Sequence, residues 1–253
     1  MIRATGFSYN GLHIDSFDVT HISQGDGLQE ESFLGNKSLD TWSTNYSKKH
    51  YTKVIKKEPL VIPMALYFDG NLTFDKEQEI KEWLSQDEFC PLVFDDEPDV
   101  EYFAQIDGEV TLTHNTIDSG YIKFNFKTNS PYRFSNNIVF EGESKSNDTY
   151  TEVYVTSNSD MEIDTVITVT SPEVKDLEFW NEATGIRSIL YGTYVNLSAD
   201  FLSEFEEIDS RARFSPSLYD AHNGRFIRLV KGKNKIKIKG KCRFTIEYKN
   251  IYL

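Results

Sequence analysis

The side chains able to do chemistry in this 253-residue sequence are five histidines, two cysteines and 40 acidic residues, and their spacing assembles no recognisable site. His13, His21, His50, His114 and His222 stand in no HExxH, HxH or Cys/His cluster, so no metal site is assigned. No GxSxG elbow, P-loop or GxGxxG is present, and Gly25-Asp26-Gly27 is too short to cradle a phosphate. The densest acidic group is Asp95, Asp96, Glu97, Asp99 and Glu101, gathered round Pro98. Paired-acid hydrolysis needs two carboxyl groups in unlike environments across a cleft. A proline-centred acidic run reads instead as a solvated turn, and the DxDxDG order of a calcium loop is missing. No catalytic residue and no cofactor is assigned, and the sequence is not read as an enzyme.

Binding chemistry has more to work with. Lys235, Lys237, Lys239, Lys241 and Arg243 share one face of an alternating stretch, which fits either an anion-binding stripe or a lysine-guarded sheet edge. No aromatic residue interleaves with them, so a single-stranded nucleic-acid platform is not expected. Trp180, Tyr191, Tyr194 and Tyr219 are available for sugar stacking, with Trp180 and Tyr194 the chosen candidates, although core packing explains each ring equally well. Net charge is −13, with residues 1–134 at −10 and 135–253 at −3. That balance argues against duplex DNA and implies repulsion between copies at low salt.

These residues need elements to hold them, and the elements read as strands. Aromatic residues make up 14% of the chain, a composition suited to pleated, half-buried surfaces. No run approaches the roughly 18 apolar residues of a membrane span, and Met1 to Gly6 shows no signal-peptide pattern. Cys90 and Cys242 have no CxxC spacing and are expected to be free thiols, consistent with synthesis in a reducing cytoplasm.

Asn10-Gly11 between Phe7-Ser8-Tyr9 and Leu12-His13-Ile14 predicts a hairpin with Phe7, Tyr9, Leu12 and Ile14 on one face. Residues 25–58 form a long polar arm that nevertheless carries Phe33, Trp42, Tyr46 and Tyr51. Rings on such a segment suit contact with another subunit, or capping of the chain's own sheet. One helix is predicted after Asn71, with Asp75 as N-cap and Ile80, Trp83 and Leu84 on its buried stripe. Pro131 and Ser135-Asn136-Asn137 mark a boundary between domains 1–134 and 135–253. The second domain reads as short strands at 150–155, 161–169, 177–181, 187–190 and 194–197, then a long alternating strand interrupted at Gly240. That pattern predicts a β-sandwich or jelly roll.

The ordered set of Phe7-Ser8-Tyr9-Asn10-Gly11, the long arm, Glu82-Trp83-Leu84, Leu92-Val93-Phe94, Asn129-Ser130-Pro131-Tyr132 and Gly232-x-Asn234-x-Ile236 resembles the distal tail proteins (Dit) of long-tailed (siphovirus) phages across essentially the whole chain. The resemblance implies a mainly β chain: an N-terminal β-sandwich-like domain with one helix and a long β-hairpin arm, then a galectin-like β-sandwich. It implies a hexameric ring at the phage tail tip in the virion. There the arm would act as a belt, and Phe33, Trp42, Tyr46 and Tyr51 would stand at the subunit interface. The ring's neighbours would be the tail tube protein, a tail-associated fibre or lysin protein, and receptor-binding proteins; nucleic acid and membrane are not expected. The competing reading is a carbohydrate-binding sandwich that recognises the host surface.

Overall fold

The computed structural model describes residues 6–22, 37–44, 46, 49–70, 72–115, 119–214 and 217–253. The chain divides into two compact units, one ending at Phe134 and the other running from Ser135 to Tyr252. Both are built on antiparallel strands.

The first unit opens with β1 (Phe7–Tyr9) and β2 (Leu12–His13). Asn10 and Gly11 turn the chain with φ values of 50 and 76°, the left-handed pair that a two-residue hairpin requires. The second strand is shorter than its alternation predicts. His13 Nδ1 accepts the Asp15 N–H, a 3-10 turn covers Ile14–Phe17, and Leu12 is left exposed. There follow β3 (Val19–Ile22), β4 (Lys37–Trp42), β5 (Tyr51–Lys57) and β6 (Val61–Asp69). Helix α1 (Phe74–Leu84) precedes β7 (Cys90–Phe94), β8 (Val100–Ile106), β9 (Thr111–His114), β10 (Ser119–Thr128) and the short β11 (Arg133–Ser135).

The main sheet has the order β2-β1-β7-β8-β10-β6-β3, with β9 added beside β10. Its inner face carries Phe7, Tyr9, Met64, Leu66, Leu92 and Phe126, all fully buried. Helix α1 covers them with Ile80, Trp83 and Leu84, as their spacing predicts. Trp83 fixes the helix by donating its indole N–H to the Tyr9 carbonyl at 2.8 Å and stacking on Phe17 at 4.4 Å. The N-cap is Thr73, not Asp75: Thr73 is extended and its hydroxyl accepts the Lys76 N–H. Asp75 and Glu77 then lie in the first turn, where the positive end of the helix favours acids.

The second unit contains β12 (Ile138–Ser144), β13 (Thr151–Ser157), β14 (Ile163–Asp164), β15 (Val166–Asn181), β16 (Arg187–Leu202) and β17 (Glu207–Ser210). It closes with β18 (Arg228–Leu229), β19 (Gly232–Lys239), β20 (Cys242–Tyr248) and β21 (Ile251–Tyr252). Several expected short strands merge: β15 and β16 are 16 residues each and pair as one long hairpin. The first half of β15 pairs with β20 and the second half with β19. Beyond these, β12 flanks β20 and β13 flanks β19.

The long sheet therefore folds over on itself. Asp176 and Asn196, at φ 48 and 53°, bend the two long strands without ending them. Gly240 makes the same corner between β19 and β20 at φ 117°, where a Cβ would come within 2.9 Å of Leu177 and 3.0 Å of Val174. Only glycine fits that position. The two halves meet in a sandwich core in which Phe179 contacts Phe201 and Phe244 at 6.2 and 6.1 Å. Tyr248 ties β20 to β13 by donating its hydroxyl to the Thr156 carbonyl at 2.8 Å. Apolar burial of this kind contributes roughly 25 cal/mol per Å².

Candidate subunit-interface site

The arm residues lie on a two-stranded ribbon, β4–β5, that pairs with no other strand among the described residues. Every residue of both strands is exposed. Leu39 faces Ile55, and Trp42 faces Tyr51 with ring centroids 5.4 Å apart. A register shift between Asp40 and Thr41 adds one residue to β5, a bulge that strengthens the local twist. Alternation then divides the apolar side chains between the two faces: Leu39 and Ile55 on one, Trp42, Tyr51 and Val54 on the other.

Exposures of 59% for Leu39, 51% for Trp42 and 58% for Ile55 show that neither face is covered. Tyr46, beyond the end of β4, is fully exposed. Phe33 lies outside the described residues. Of the interface candidates, the ribbon brings Trp42 and Tyr51 together. Leu39, Val54 and Ile55 escaped the sequence reading; in Ser38–Trp42 and Tyr51–Lys57 the apolar residues do not alternate with polar ones, and the bulge in β5 is what brings them into register.

Charge on the arm differs from charge on the rest of the unit. Residues 37–58 carry six lysines against Asp40 and Glu58, a net +4. Lys37, Lys53 and Lys56 make no ion pair among the described residues, and Lys57 rests over the Tyr132 ring at 4.8 Å. With the unit at −10 overall, the remainder stands at −14. The arm and the rest of the unit therefore carry net charges of opposite sign.

The sugar candidates fare differently from each other. Tyr194 is 7% exposed, packs edge-on to Phe214 at 5.5 Å and donates its hydroxyl to the Tyr191 carbonyl, so its ring is part of the core. Burial, with Asp176 adding to it, raises the Tyr194 pKa. Trp180 is half-buried on the outer face of the sheet, with Arg187 from β16 and Lys237 from β19 over its ring at 4.0 and 4.7 Å. The two cations come from the strands on either side of it.

The lysine face is not a sheet edge. β19 lies between β13 and β15, and β20 lies between β12 and β15. Lys235 and Lys237 both pair with Glu152 and Glu182, the Lys235–Glu152 contact measuring 2.8 Å. Hydrogen bonds from Lys235 and Lys237 hold Glu152 and Glu182 below the usual carboxylate range. Lys233 sits over the Tyr154 ring at 3.8 Å. Lys233, Lys235 and Lys237 are thus engaged by partners within the unit.

Of the acidic run, Asp95, Asp96, Glu97 and Asp99 lie in the turn between β7 and β8, and Glu101 lies on β8. Asp95 contacts His13 at 3.2 Å and Glu97 accepts from Arg133 at 2.7 Å. A buried Ser–His contact also occurs, Ser188 Oγ to His222 Nε2 at 2.9 Å. His222 Nδ1 accepts the Gly224 N–H, which puts the ring proton on Nε2. The imidazole therefore donates to Ser188 and is not placed to deprotonate it. Burial pushes the His222 pKa down to about 4. Cys90 and Cys242 are both free, and burial raises the Cys242 thiol to about 12.

The chain belongs to the family described as "Phage tail protein N-terminal domain", which matches residues 2–130. It is 29% identical over 266 residues to the SPbeta prophage-derived uncharacterized protein YomH of Bacillus subtilis (strain 168), covering all of both chains. Its fold is similar to that of SPP1 Dit (gp 19.1), described as a paradigm of hub adsorption apparatus in phages infecting Gram-positive hosts. That similarity has a TM-score of 0.70 at 14% identity, over 98% of this chain and 99% of the other. A chain of the phage P2 baseplate in its activated conformation with calcium matches at TM-score 0.53 and 12% identity, over 98% of each. The resemblance to distal tail proteins therefore holds at the level of fold along the whole chain.

Proposed function

We propose that this chain is a structural hub of a phage tail tip, closing into a homo-oligomeric ring that joins the tail tube to the adsorption apparatus. The observation that carries the reading is the β4–β5 ribbon, exposed along its whole length with apolar side chains on both faces. An isolated two-stranded hairpin is at best marginally stable in water. A ribbon with two greasy faces gains most when a neighbour covers it. Family membership and the fold shared with SPP1 Dit support the placement in a tail.

In this reading six copies close the ring, Trp42 and Tyr51 anchor the contact, and the C-terminal sandwich is available to other tail proteins. The neighbours are tail tube, tail-associated fibre or lysin protein, and receptor-binding proteins, and the chain resides at the tail tip of the virion. No catalytic step belongs to this role. Negative-stain images of the purified chain test it: closed rings with a central opening are the expected particles, and a field of single small particles at every concentration rejects it. In the competing reading of a carbohydrate-binding sandwich, Tyr194 is buried and Trp180 is covered by Arg187 and Lys237, so Tyr191 and Tyr219, both exposed, are the rings left to meet a sugar.

A further inference from the structure

Beyond β17 the chain continues alongside β16 without forming a further regular strand there. Ser210 pairs with Ala199 at the end of β17. Further on, the Tyr191 N–H donates to the Ala221 carbonyl at 3.0 Å, and the Asn223 N–H to the Ile189 carbonyl at 3.0 Å. Residues 211–214 and 217–225 therefore follow β16 from Ala199 back to Ile189.

The side chains of this segment divide between the core and the surface. Phe214 packs on Tyr194, Leu218 is buried, and His222 stands between Phe201 and Phe226 at 5.7 and 4.8 Å. Asn223 fastens the segment to β16: its side chain accepts the Ile189 N–H and donates to the Arg187 carbonyl. Arg211, Arg213, Tyr219 and Arg225 are left exposed, with Tyr191 exposed on the strand beside them. The backbone that carries these groups is thus fixed before any ligand arrives, which lowers the ordering cost of binding.

Charge distinguishes this segment from its surroundings. Residues 211–225 carry three arginines against Asp220, a net +2 in a unit whose net charge is −3. Asp220 is turned back into its own turn, where its carboxylate accepts the Ser217 hydroxyl at 2.6 Å. Arg211, Arg213 and Arg225 make no ion pair among the described residues, unlike Lys235 and Lys237 on the same unit.

The arginines are strung along a strand path at about 3.3 Å per residue, so no single small anion reaches them all, and a linear ligand does. Guanidinium groups grip carboxylate or phosphate through paired hydrogen bonds. A tyrosine offers an apolar ring with a polar tip, which suits a sugar ring with its apolar C–H face and rim of hydroxyls. A nucleic-acid strand fits less well. It carries a phosphate on every nucleotide, and Glu204, Glu206, Glu207 and Asp209 immediately precede Arg211. A glycan with sparse acid groups meets the arginines without that density of charge.

We propose that Tyr191, Tyr219, Arg213 and Arg225 form a binding site for a linear glycan bearing carboxylate or phosphate groups. The site lies within one chain and does not depend on ring closure, so its failure leaves the hub reading untouched.

Isothermal titration calorimetry on the full chain at low salt tests it. The probes are hexagalacturonate, mannopentaose phosphate, neutral cellohexaose and a thymidine hexanucleotide. At least one charged glycan is expected to bind about tenfold or more tightly than cellohexaose, and the one preferred identifies the acid group. Arg213→Glu with Arg225→Glu should abolish that binding, and Tyr191→Ala with Tyr219→Ala should weaken it about tenfold. Lys145→Glu with Lys241→Glu, exposed elsewhere on the sandwich, should leave it unchanged. Circular dichroism confirms that each variant is folded. The proposal is overturned if neither charged glycan binds, if the oligonucleotide binds more tightly than both, or if the tyrosine variant keeps full affinity. Equal losses in the lysine and arginine variants also overturn it, because attraction would then be to net charge and not to this site.

Discussion

Two regions of this chain start from similar materials and end in opposite states. Each is a lysine-rich antiparallel strand pair carrying a tryptophan. On the sandwich, Trp180 has Arg187 and Lys237 over its ring, and Lys235 and Lys237 share Glu152 and Glu182. On the arm, Trp42 stands beside Tyr51, and among the described residues Lys37, Lys53 and Lys56 make no ion pair. The difference is the neighbours: β19 and β15 sit inside a broad sheet, whereas β4 and β5 pair with no other strand among the described residues. A sheet supplies the opposite charges and ring contacts that lysines and tryptophans require. A lone ribbon leaves those requirements to another molecule.

The comparison is broken or sharpened by substitution. The largest effect is expected from Trp42→Ala with Tyr51→Ala, which should weaken self-association about 100-fold while leaving the urea midpoint of the chain unchanged. Truncating two interface anchors commonly costs about 3 kcal/mol or more of binding, whereas exposed residues contribute little to folding. Trp180→Ala should do the reverse, leaving the oligomer intact and destabilising the sandwich by about 2 kcal/mol through lost packing and two lost cation–ring contacts. A Trp180 variant that dissociates without unfolding would erase the distinction between the two tryptophans.

A titration reports on the sandwich alone. His222 has a folded pKa of about 4 against an ordinary 6.5. A depressed pKa means the neutral ring is favoured by folding, so its contribution is complete above pH 6.5 and is lost as pH falls towards 4. Stability should drop by about 3 kcal/mol at most across that window, measured as urea midpoint against pH, and His222→Gln should flatten the slope. The smallest effect concerns Glu152 and Glu182. By NMR titration both should stay ionised below the ordinary glutamate value of 4.5, and lose that depression when Lys235 and Lys237 are replaced by Met.

Much of the β architecture could be read from residue patterns. Asn10-Gly11, the Ile80–Trp83–Leu84 stripe and the alternation around Ile236, Phe244 and Ile246 report their own surroundings, because burial imposes the period directly. The sandwich strands were harder, since Pro172, Asp176, Gly192 and Asn196 are turn residues that here bend strands continuing past them. Local sequence cannot distinguish a corner from an end when the partner strands lie far along the chain, as Glu178 and Lys239 or Val166 and Glu247 do. The lysine stripe resembled an edge for the same reason: its glutamates come from β13 and from the turn after β15. On the arm, the rings stood out by type, but the ribbon's two apolar faces emerge only once the strand register is known.

Multi-angle light scattering on the full chain, run beside the Trp42→Ala, Tyr51→Ala double variant, tests the central claim most directly. The account predicts a mass several times 29.2 kDa for the natural sequence and 29.2 kDa for the variant. A natural chain that stays at 29.2 kDa at all concentrations, or a variant that assembles as well as its parent, would contradict it.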